Sequence, residues 1–437
     1  MKNARIISVD LGSAYTKISL RRSWDDSSEL MRGLPVALAQ EENFQEEDFC
    51  IPSVVARISS ARGARWLVGA DAASQIPGPS VTVFRNWKAA LFGADGAGSL
   101  SDGGLGVEEA VKVAVAFFKE VRAVVLHRNS AQIERFPVRV TVPKLRDAAE
   151  MEELMLRILG DAGWRGAEGR VTVFEPESNA LGLLSRGRNA TWVPPQQSFR
   201  PPPQRTVRLQ QMLGPGLSAS YRNMNDRYAI LVTDVGAFTT DFGYVEFDTS
   251  FWTDNWNKPD IVQESVNLGI RQLDHGVLAH LPSDVQSYFS RGQPSEWDRR
   301  KQQLYAGKPQ KIVVSDKQVT LGGEDQAAAV QEEIDNFARC VVEARDRFLK
   351  KYELRGANEE TVTGGGSAIS AVRGKLLERI RSETERVHDL WDREEPDNAR
   401  AAGGRRLTPD EKDRRLSENR LLVRGGSALG GASVFFE

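Results

Sequence analysis

Two stretches of the chain carry the same pattern of apolar and polar positions. Ala229 to Thr233 is an apolar run closed by a threonine, which predicts a buried strand. It leads into Asp234, Val235 and Gly236, then a tight turn bearing Thr239 and Thr240, and then Asp241, which opens a second short strand. Ile6 to Ile18 aligns without a gap on Ile230 to Phe242. Ile6/Ile230, Asp10/Asp234, Gly12/Gly236 and Thr16/Thr240 are identical, and Lys17 aligns with Asp241. One strand-Asp-x-Gly-strand hairpin says little, because any surface hairpin carries such a turn. Two copies far apart predict a duplicated architecture, with two similar lobes offering their loops to one cleft.

Between and beyond the hairpins the pattern alternates between strand and helix periods, which predicts an α/β protein. Strands are read at Phe49 to Ala56, Arg65 to Gly69, Val138 to Val142 and Arg170 to Phe174, and helices at 107–128 and 146–161. In the second half, strands at 311–314 and 318–321 precede a long helix over 325–351. A strand at Thr361 to Thr363 then runs into Gly364, Gly365, Gly366 and Ser367, and a closing helix is read from Ser417 to Ala428. Ser185 to Arg227, with Pro194-Pro195 and Pro201-Pro202-Pro203, reads as an exposed polyproline insertion or a docking segment for a proline-reading partner. Asp389 to Arg415 reads as a charged, mobile insertion.

At 437 residues the chain exceeds what one core usually supports, so two lobes are expected. A net charge of −2 gives no pull toward nucleic acid or acidic lipid. Two isolated cysteines suggest neither a disulfide framework nor a metal knuckle. The amino terminus lacks a signal-peptide profile and no apolar run is long enough for a bilayer, so a cytoplasmic protein is expected. His127, His275, His280 and His388 are scattered and read as structural.

The candidate chemistry lies in the turns. Glycine lets backbone approach a ligand, and turn N–H groups with threonine hydroxyls make a cradle for phosphate. Carboxylates beside such a cradle cannot bind phosphate, but they can hold, largely through water, the Mg²⁺ that neutralises it. Glu175 stands at a strand's carboxyl end just before a helix, where open α/β sheets collect ligands. The turn from Gly364 to Ser367 admits a ligand at a helix amino end. Asp298 and Lys301 share one helical face, either as a solvated ion pair, which spacing alone favours, or as partners for ribose or base hydroxyls.

Phosphate hairpin, strand-Glu-Pro-helix, second hairpin, Gly-Gly-Gly-Ser and a small-residue closing helix is an order that resembles the actin, sugar-kinase and heat-shock-chaperone ATPase superfamily. Within it the chain is most similar to the nucleotide-binding domain of DnaK-type chaperones. Leu67 to Ala73, Val83-Phe84, Lys88 and Leu91 to Gly93 look like the segment bearing that family's catalytic lysine. Val140 to Pro143 and Glu175-Pro176 match two further motifs, and Leu268-Gly269 with Asp274 matches a third in part.

The resemblance implies an α/β, two-lobed, actin-like ATPase fold with duplicated ribonuclease-H-like lobes. Lobe I would span 1–184 with a subdomain at about 25–110, and lobe II 228–388 with a smaller one at about 270–322. The insertion 185–227 falls between them, and the charged insertion 389–415 and the tail 416–437 follow. It implies ATP or ADP in the cleft, with Mg²⁺ near Asp10 and Asp234. Gly12, Ser13 and Ala14, with Gly236, Ala237, Phe238 and Thr239, would line the phosphates. Asp298 and Lys301 would face ribose or base hydroxyls, and Gly364, Gly365, Gly366 and Ser367 would also contact the nucleotide. Glu175 or Asp234 would orient the attacking water, and Lys17 or Lys88 would stabilise the γ-phosphate.

Several positions depart from the family. The two adenine-sandwiching arginines fall at Gln302 and Ala368, the adenosine glutamate is Asp298, and the relay arginine is Met151. No client-binding domain is expected within these 437 residues. The favoured function is a slow, monomeric ATPase acting as a nucleotide switch for a separate protein, with 185–227 as the candidate docking segment. The alternatives are a filament-forming ATPase and a degenerate nucleotide-binding scaffold.

Overall fold

The computed structural model describes residues 5–21, 29–30, 50–61, 63–93, 105–128, 134–167, 170–189, 227–248, 260–289, 294–381, 387–389, 391, 408–409, 412, 416, 420 and 423–432. The proline-rich segment and the partner contact assigned to it therefore lie almost wholly outside the described residues, as does most of the charged insertion. In chain order the strands are β1 (Ile6–Asp10), β2 (Tyr15–Arg21), β3 (Glu29–Leu30), β4 (Ile51–Pro52), β5 (Val55–Ser60), β6 (Gly63–Val68), β7 (Val81–Phe84) and β8 (Val138–Val142). They continue with β9 (Thr172–Phe174), β10 (Arg227–Val235), β11 (Thr240–Asp248), β12 (Asp260–Val266), β13 (Gln310–Val314), β14 (Lys317–Leu321), β15 (Glu359–Thr363) and β16 (Val387–His388). The helices of the first half are α1 (Ala70–Ala73), α2 (Trp87–Phe92), α3 (Val107–Arg128), α4 (Ala148–Asp161) and α5 (Glu175–Asn189). Those of the second are α6 (Ile270–Ala279), α7 (Ser283–Ser287), α8 (Pro294–Tyr305), α9 (Glu324–Lys351), α10 (Ser370–Arg381) and α11 (Gly426–Gly431).

The chain is mixed α/β, and each hairpin seeds a sheet of the same order. The first sheet runs β3-β2-β1-β8-β9, with β4 also on β2, and the second runs β12-β11-β10-β15-β16. In both, three consecutive strands form an antiparallel meander, and the first of them takes a parallel neighbour on its other side, which in turn takes a second. The repeat read in the two hairpins thus extends to the whole strand order. β1 and β8 are buried along their full length, as strands covered on both faces must be. Packed on them are Phe117, Phe118 and Val121 of α3 and Met151, Met155 and Ile158 of α4. Asp147 caps α4 by accepting from the N–H groups of Ala149 and Glu150, which starts the helix slightly later than the pattern suggested. In the second half, α6, α8, α9 and α10 share one core through Leu273, Val277, Trp297, Ile334, Val341, Val372 and Leu376. Two smaller sheets stand apart, β6-β5-β7 and the hairpin β13-β14.

Two helices join the sheets. α11 packs on β1, β2 and β8, α5 packs on β10, β11 and β12, and the two helices pack on each other. Small residues permit the approach. A methyl group at Gly182 would lie 1.8 Å from the Gly426 carbonyl oxygen, and one at Gly430 would lie 1.6 Å from that of Ser178. The closing segment is thus an integral layer between the halves. Its described helix is Gly426–Gly431, while residues 417–419 of the expected start lie outside the described residues. The charged insertion also begins differently from expectation. Trp391 is only 3% exposed and its indole N–H donates to Ser367 Oγ, so the chain here enters the core before any solvated stretch.

These contacts generate a paired test. Gly182→Ala and Gly430→Ala should each lower stability by about 1–3 kcal/mol or more, since the obstructing atoms are backbone and cannot rotate away. Gly374→Ala, an exposed position inside α10 with nothing within 4 Å of the added carbon, should raise it by about 0.4–1 kcal/mol. Urea midpoints of the three variants measure both.

Candidate functional site

The carboxyl ends of β1 and β10 approach the same crease. At the end of β1, Asp10 is paired in register with Lys17 of β2, and Lys17 Nζ lies 2.7 Å from Asp10 Oδ2. Thr141, its parallel neighbour on β8, donates to Asp10 Oδ1 at 3.2 Å. Burial works to lower the Lys17 ammonium, but Asp10, Cys50 and Asp234 outweigh it, and its pKa stands above the ordinary value. The loop between the strands is braced from below. Ser53 donates to the Gly12 carbonyl at 2.6 Å, and its own N–H donates to the Ala14 carbonyl at 2.9 Å. Gly12 is required, since a methyl group would sit 2.2 Å from the Tyr15 carbonyl oxygen. Ser13 is half-buried and Ala14 exposed.

Lys88 and Glu175 form a second pair, Nζ to Oε1 at 2.6 Å, both buried. Local sequence explains how a lysine comes to point inward. Trp87, fully buried against Phe117, donates its indole N–H to the Ser53 carbonyl at 2.9 Å and so fixes the short helix α2 that carries Lys88. Ala89, the next residue, packs against Phe238 of the second hairpin. That contact brings the loop after β10 against α2. Burial pushes Glu175 above the usual carboxylate range; Lys88 pulls it back and Asp10 adds to the rise.

In the second half the register puts like charges together: Asp234 lies opposite Asp241 across β10 and β11. Uncharged donors hold both. Asn179 Nδ2 donates to Asp234 Oδ2; Ser265 donates to Asp241 Oδ1 and Thr239 to its Oδ2, the last at 3.2 Å. Burial first, then Glu175 and Asp10, raise Asp234 to about 7, with Lys17 and Asn179 opposing. Asp241 is raised well above its usual value by burial and by the charges of Glu175 and Asp234. Asp10, Lys17, Lys88, Glu175 and Asp234, five of the residues singled out from the sequence, thus lie within electrostatic reach of one another. Asp241 completes the cluster.

The remaining candidates flank it. Gly236 accepts from the N–H of Ile270 at 3.1 Å and Ala237 from that of Arg271 at 2.8 Å, so α6 begins against the second loop. The side chain of Phe238 is buried in the contact with Ala89, and the hydroxyl of Thr239 is engaged by Asp241. These two residues therefore offer a ligand chiefly their backbone. Gly364, at φ 86, fits where a methyl group would strike Asp234 Oδ1 at 1.9 Å. Gly365 is exposed, Gly366 lies under Ile270 and Ser367 is buried. Asp298 and Lys301 form the ion pair read from their spacing, at 3.0 Å, but it is not a merely solvated one. Lys301 also reaches the fully buried Asp274 at 2.9 Å, to which Tyr305 donates at 2.7 Å, and Arg271 lies 3.4 Å from both aspartates. This network reaches the second loop through Arg271, whose own N–H donates to the Ala237 carbonyl.

Asn179, Ser265 and Thr363 were given no role from the sequence, and Asp241 was read only as one of the two carboxylates flanking the second loop. Asn179 had one available signal, its spacing of four from Glu175 on a helix. Among the described residues no group of three or more His, Cys, Asp or Glu side chains is close enough to hold a metal directly, and no helix is long and apolar enough to cross a membrane. No protein-family model matches the chain, and no curated protein matches it.

The raised carboxyls have a consequence for stability. Each has a folded-state pKa above its unfolded value, so stability is full below the unfolded pKa and is lost as pH rises through the folded one. In metal-free buffer the unfolding free energy should fall between about pH 4 and about pH 7. Asp234→Asn should flatten the upper part of that fall by ~1–3 kcal/mol, read from urea midpoints across this range.

Proposed function

We propose that the chain is a Mg²⁺-dependent ATP-binding protein with a two-lobed, actin-like fold, a slow ATPase that serves as a nucleotide switch for a separate protein. One observation carries this reading. Four carboxyl groups, Asp10, Glu175, Asp234 and Asp241, converge in a crease between two sheets of matching strand order, and among the described residues two ammonium groups, Lys17 and Lys88, meet them. A buried site with excess negative charge favours a divalent cation, and a loop of backbone N–H groups beside it favours phosphate.

The donor set fits Mg²⁺ held through its water shell. Carboxylate oxygens stand at the ends of both hairpins, with Asp10 closing β1 and Asp234 opposite Asp241 on β10 and β11, while direct chelation by a packed trio of side chains is not available among the described residues. Asp10 and Asp234 would hold the ion, whose chemistry is to neutralise the triphosphate. Glu175, with its raised pKa, is suited to accept the proton of the attacking water, and Lys88, paired with it, would stabilise charge on the transferred γ-phosphoryl group. Lys17 would do so if the ligand sits nearer the first loop. The backbone of Gly12, Ser13, Gly236 and Ala237 would line the phosphates.

A second reading, a nucleotide-binding scaffold with little turnover, is supported by specific residues. Gln302 and Ala368 stand where the family resemblance calls for stacking arginines, and both lysines are already paired with carboxylates.

Calorimetric titration with ATP and ADP, with and without Mg²⁺, separates the two. The ATPase reading expects Mg²⁺-dependent binding that is lost in Asp10→Ala and Asp234→Ala, both still folded. It also expects Glu175→Ala and Lys88→Ala to lower turnover roughly 10²-fold while changing affinity little. If Lys17→Ala alone does so, the lysine assignment reverses. Binding without turnover supports the scaffold, and no heat with either nucleotide defeats both.

A further inference from the structure

The supports around the charge cluster are unevenly shared. Both lysines belong to the first half and pair with first-half acids, whereas Asp234 and Asp241 of the second half are held by uncharged donors. Of those donors, Asn179 comes from α5, the helix that begins with Glu175.

We propose that Asn179 is a positioning residue whose carboxamide fixes the Asp234 carboxylate and the start of the Gly364–Ser367 turn at one spacing from Glu175. Its Nδ2 donates both to Asp234 Oδ2 and to Thr363 Oγ1, the latter at 2.8 Å. Asp234 and Thr363 are register partners on the parallel strands β10 and β15. A single amide therefore ties the strand ends from which the second hairpin loop and the glycine turn depart. Asn179 is 2% exposed, and α11 closes over it: a methyl group at Gly426 would lie 2.3 Å from Asn179 Oδ1. With no room to swing, the amide holds one orientation. Glu175 precedes it by four residues, so both side chains project from the same face of one helix. A helix pinned against α11 thus sets the distance between an acid of its own half and an acid of the other. Removing the amide leaves Glu175 and Lys88 in place and releases Asp234 and Thr363 together.

The consequence for turnover rests on the ATPase reading; the structural consequence does not. In single-turnover hydrolysis with Mg-ATP, Asn179→Ala should lower the rate at least ~10-fold while the calorimetric affinity changes less than ~3-fold, as expected for a group that aligns rather than binds. Thr363→Val, which keeps the side chain's shape and removes one acceptor, should give a smaller loss. The double variant should be no slower than Asn179→Ala, because both act through one amide. In ligand-free protein, backbone hydrogen exchange over 230–235 and 359–366 should accelerate in Asn179→Ala while that over 310–321 stays unchanged. If Asn179→Ala does not fold, Thr363→Val carries both measurements. Unchanged exchange at the two strand ends, an equal fall in rate and affinity, or additive losses in the double variant would overturn the proposal. Should the wild-type chain neither bind nor hydrolyse Mg-ATP, the ATPase reading fails by itself, and the exchange measurement alone decides the role of Asn179.

Discussion

Four carboxylates in one buried crease repel one another, and most of what surrounds them serves to keep them there. Burial is the largest cause of the raised pKa at three of them, and the charges of Asp10, Glu175 and Asp234 add to the rise on their neighbours. Such a group survives only if packing elsewhere holds it shut. Here that packing is helix on helix: α5 carries Glu175 and Asn179 and is pressed onto α11 through glycines at 182, 426 and 430. Side chains larger than hydrogen at those positions would part the helices, and with them the sheets whose strand ends bring Asp10 and Asp234 together.

The two hairpins share a phrase but not an electrostatic role. At aligned positions the first has Lys17 and the second Asp241, so one cross-strand pair is a salt bridge and the other a like-charge pair. The like-charge pair is tolerable because Ser265 and Thr239 donate to Asp241 and Asn179 to Asp234. Ser265 carries the connection further: its hydroxyl accepts from the N–H of Lys144 at 2.8 Å, just beyond the strand that ends with Val142. Each second-half acid is therefore linked to the first half by one or two hydrogen bonds, so a shift of one sheet against the other would be felt at the carboxylates. Two sheets of matching strand order thus differ in polarity, with cations supplied from one side and acids held by uncharged donors on the other.

Much of this was legible in the sequence wherever a pattern was local and strong. The hairpins, the strand at Val138–Val142 and the long helix α9 are set by apolar periodicity and fall where it places them. The strand before the glycine turn was read only from Thr361, because Glu359 and Glu360 break the apolar pattern. Both are buried, and Glu360 is held by a bidentate pair from Arg345 at 2.6 and 2.7 Å. That support comes from another element, which no local window reveals. Asn179 and Ser265 were passed over for the same reason: their partners lie 55 and 24 residues away. Lys88 was found, but only through a family-like segment. The physical cause of its inward aim, the anchoring of Trp87 on Ser53, is a tertiary contact. Trp391 was hidden by its charged neighbours, although its ring lies under the Arg424 guanidinium at 5.5 Å and its N–H meets Ser367.

If the crease takes a nucleotide, its nucleoside end works differently from its phosphate end. Asp274 is fully buried, and Lys301, Arg271 and Tyr305 meet it, so much of the hydrogen-bonding capacity there is spent within the protein. Burial works against the Asp298 carboxylate, yet Lys301, Arg271 and Arg85 hold its pKa below the usual value, so it stays ionised and acts only as an acceptor. Its side chain is 41% exposed, and Gln302, one helical turn further along the same helix, is exposed as well. An acceptor and an amide can recognise hydroxyls and ring edges but give a base no surface to stack upon. Stacking is tolerant of which base it receives, whereas a site built on hydrogen bonds rejects a ligand that leaves its polar groups unpaired. In that case Gln302 and Ala368 would offer the base no stacking surface, which would weaken general affinity for a purine more than discrimination. The balance of binding would then shift toward the phosphates, and so toward the charge cluster that α5 and α11 hold closed.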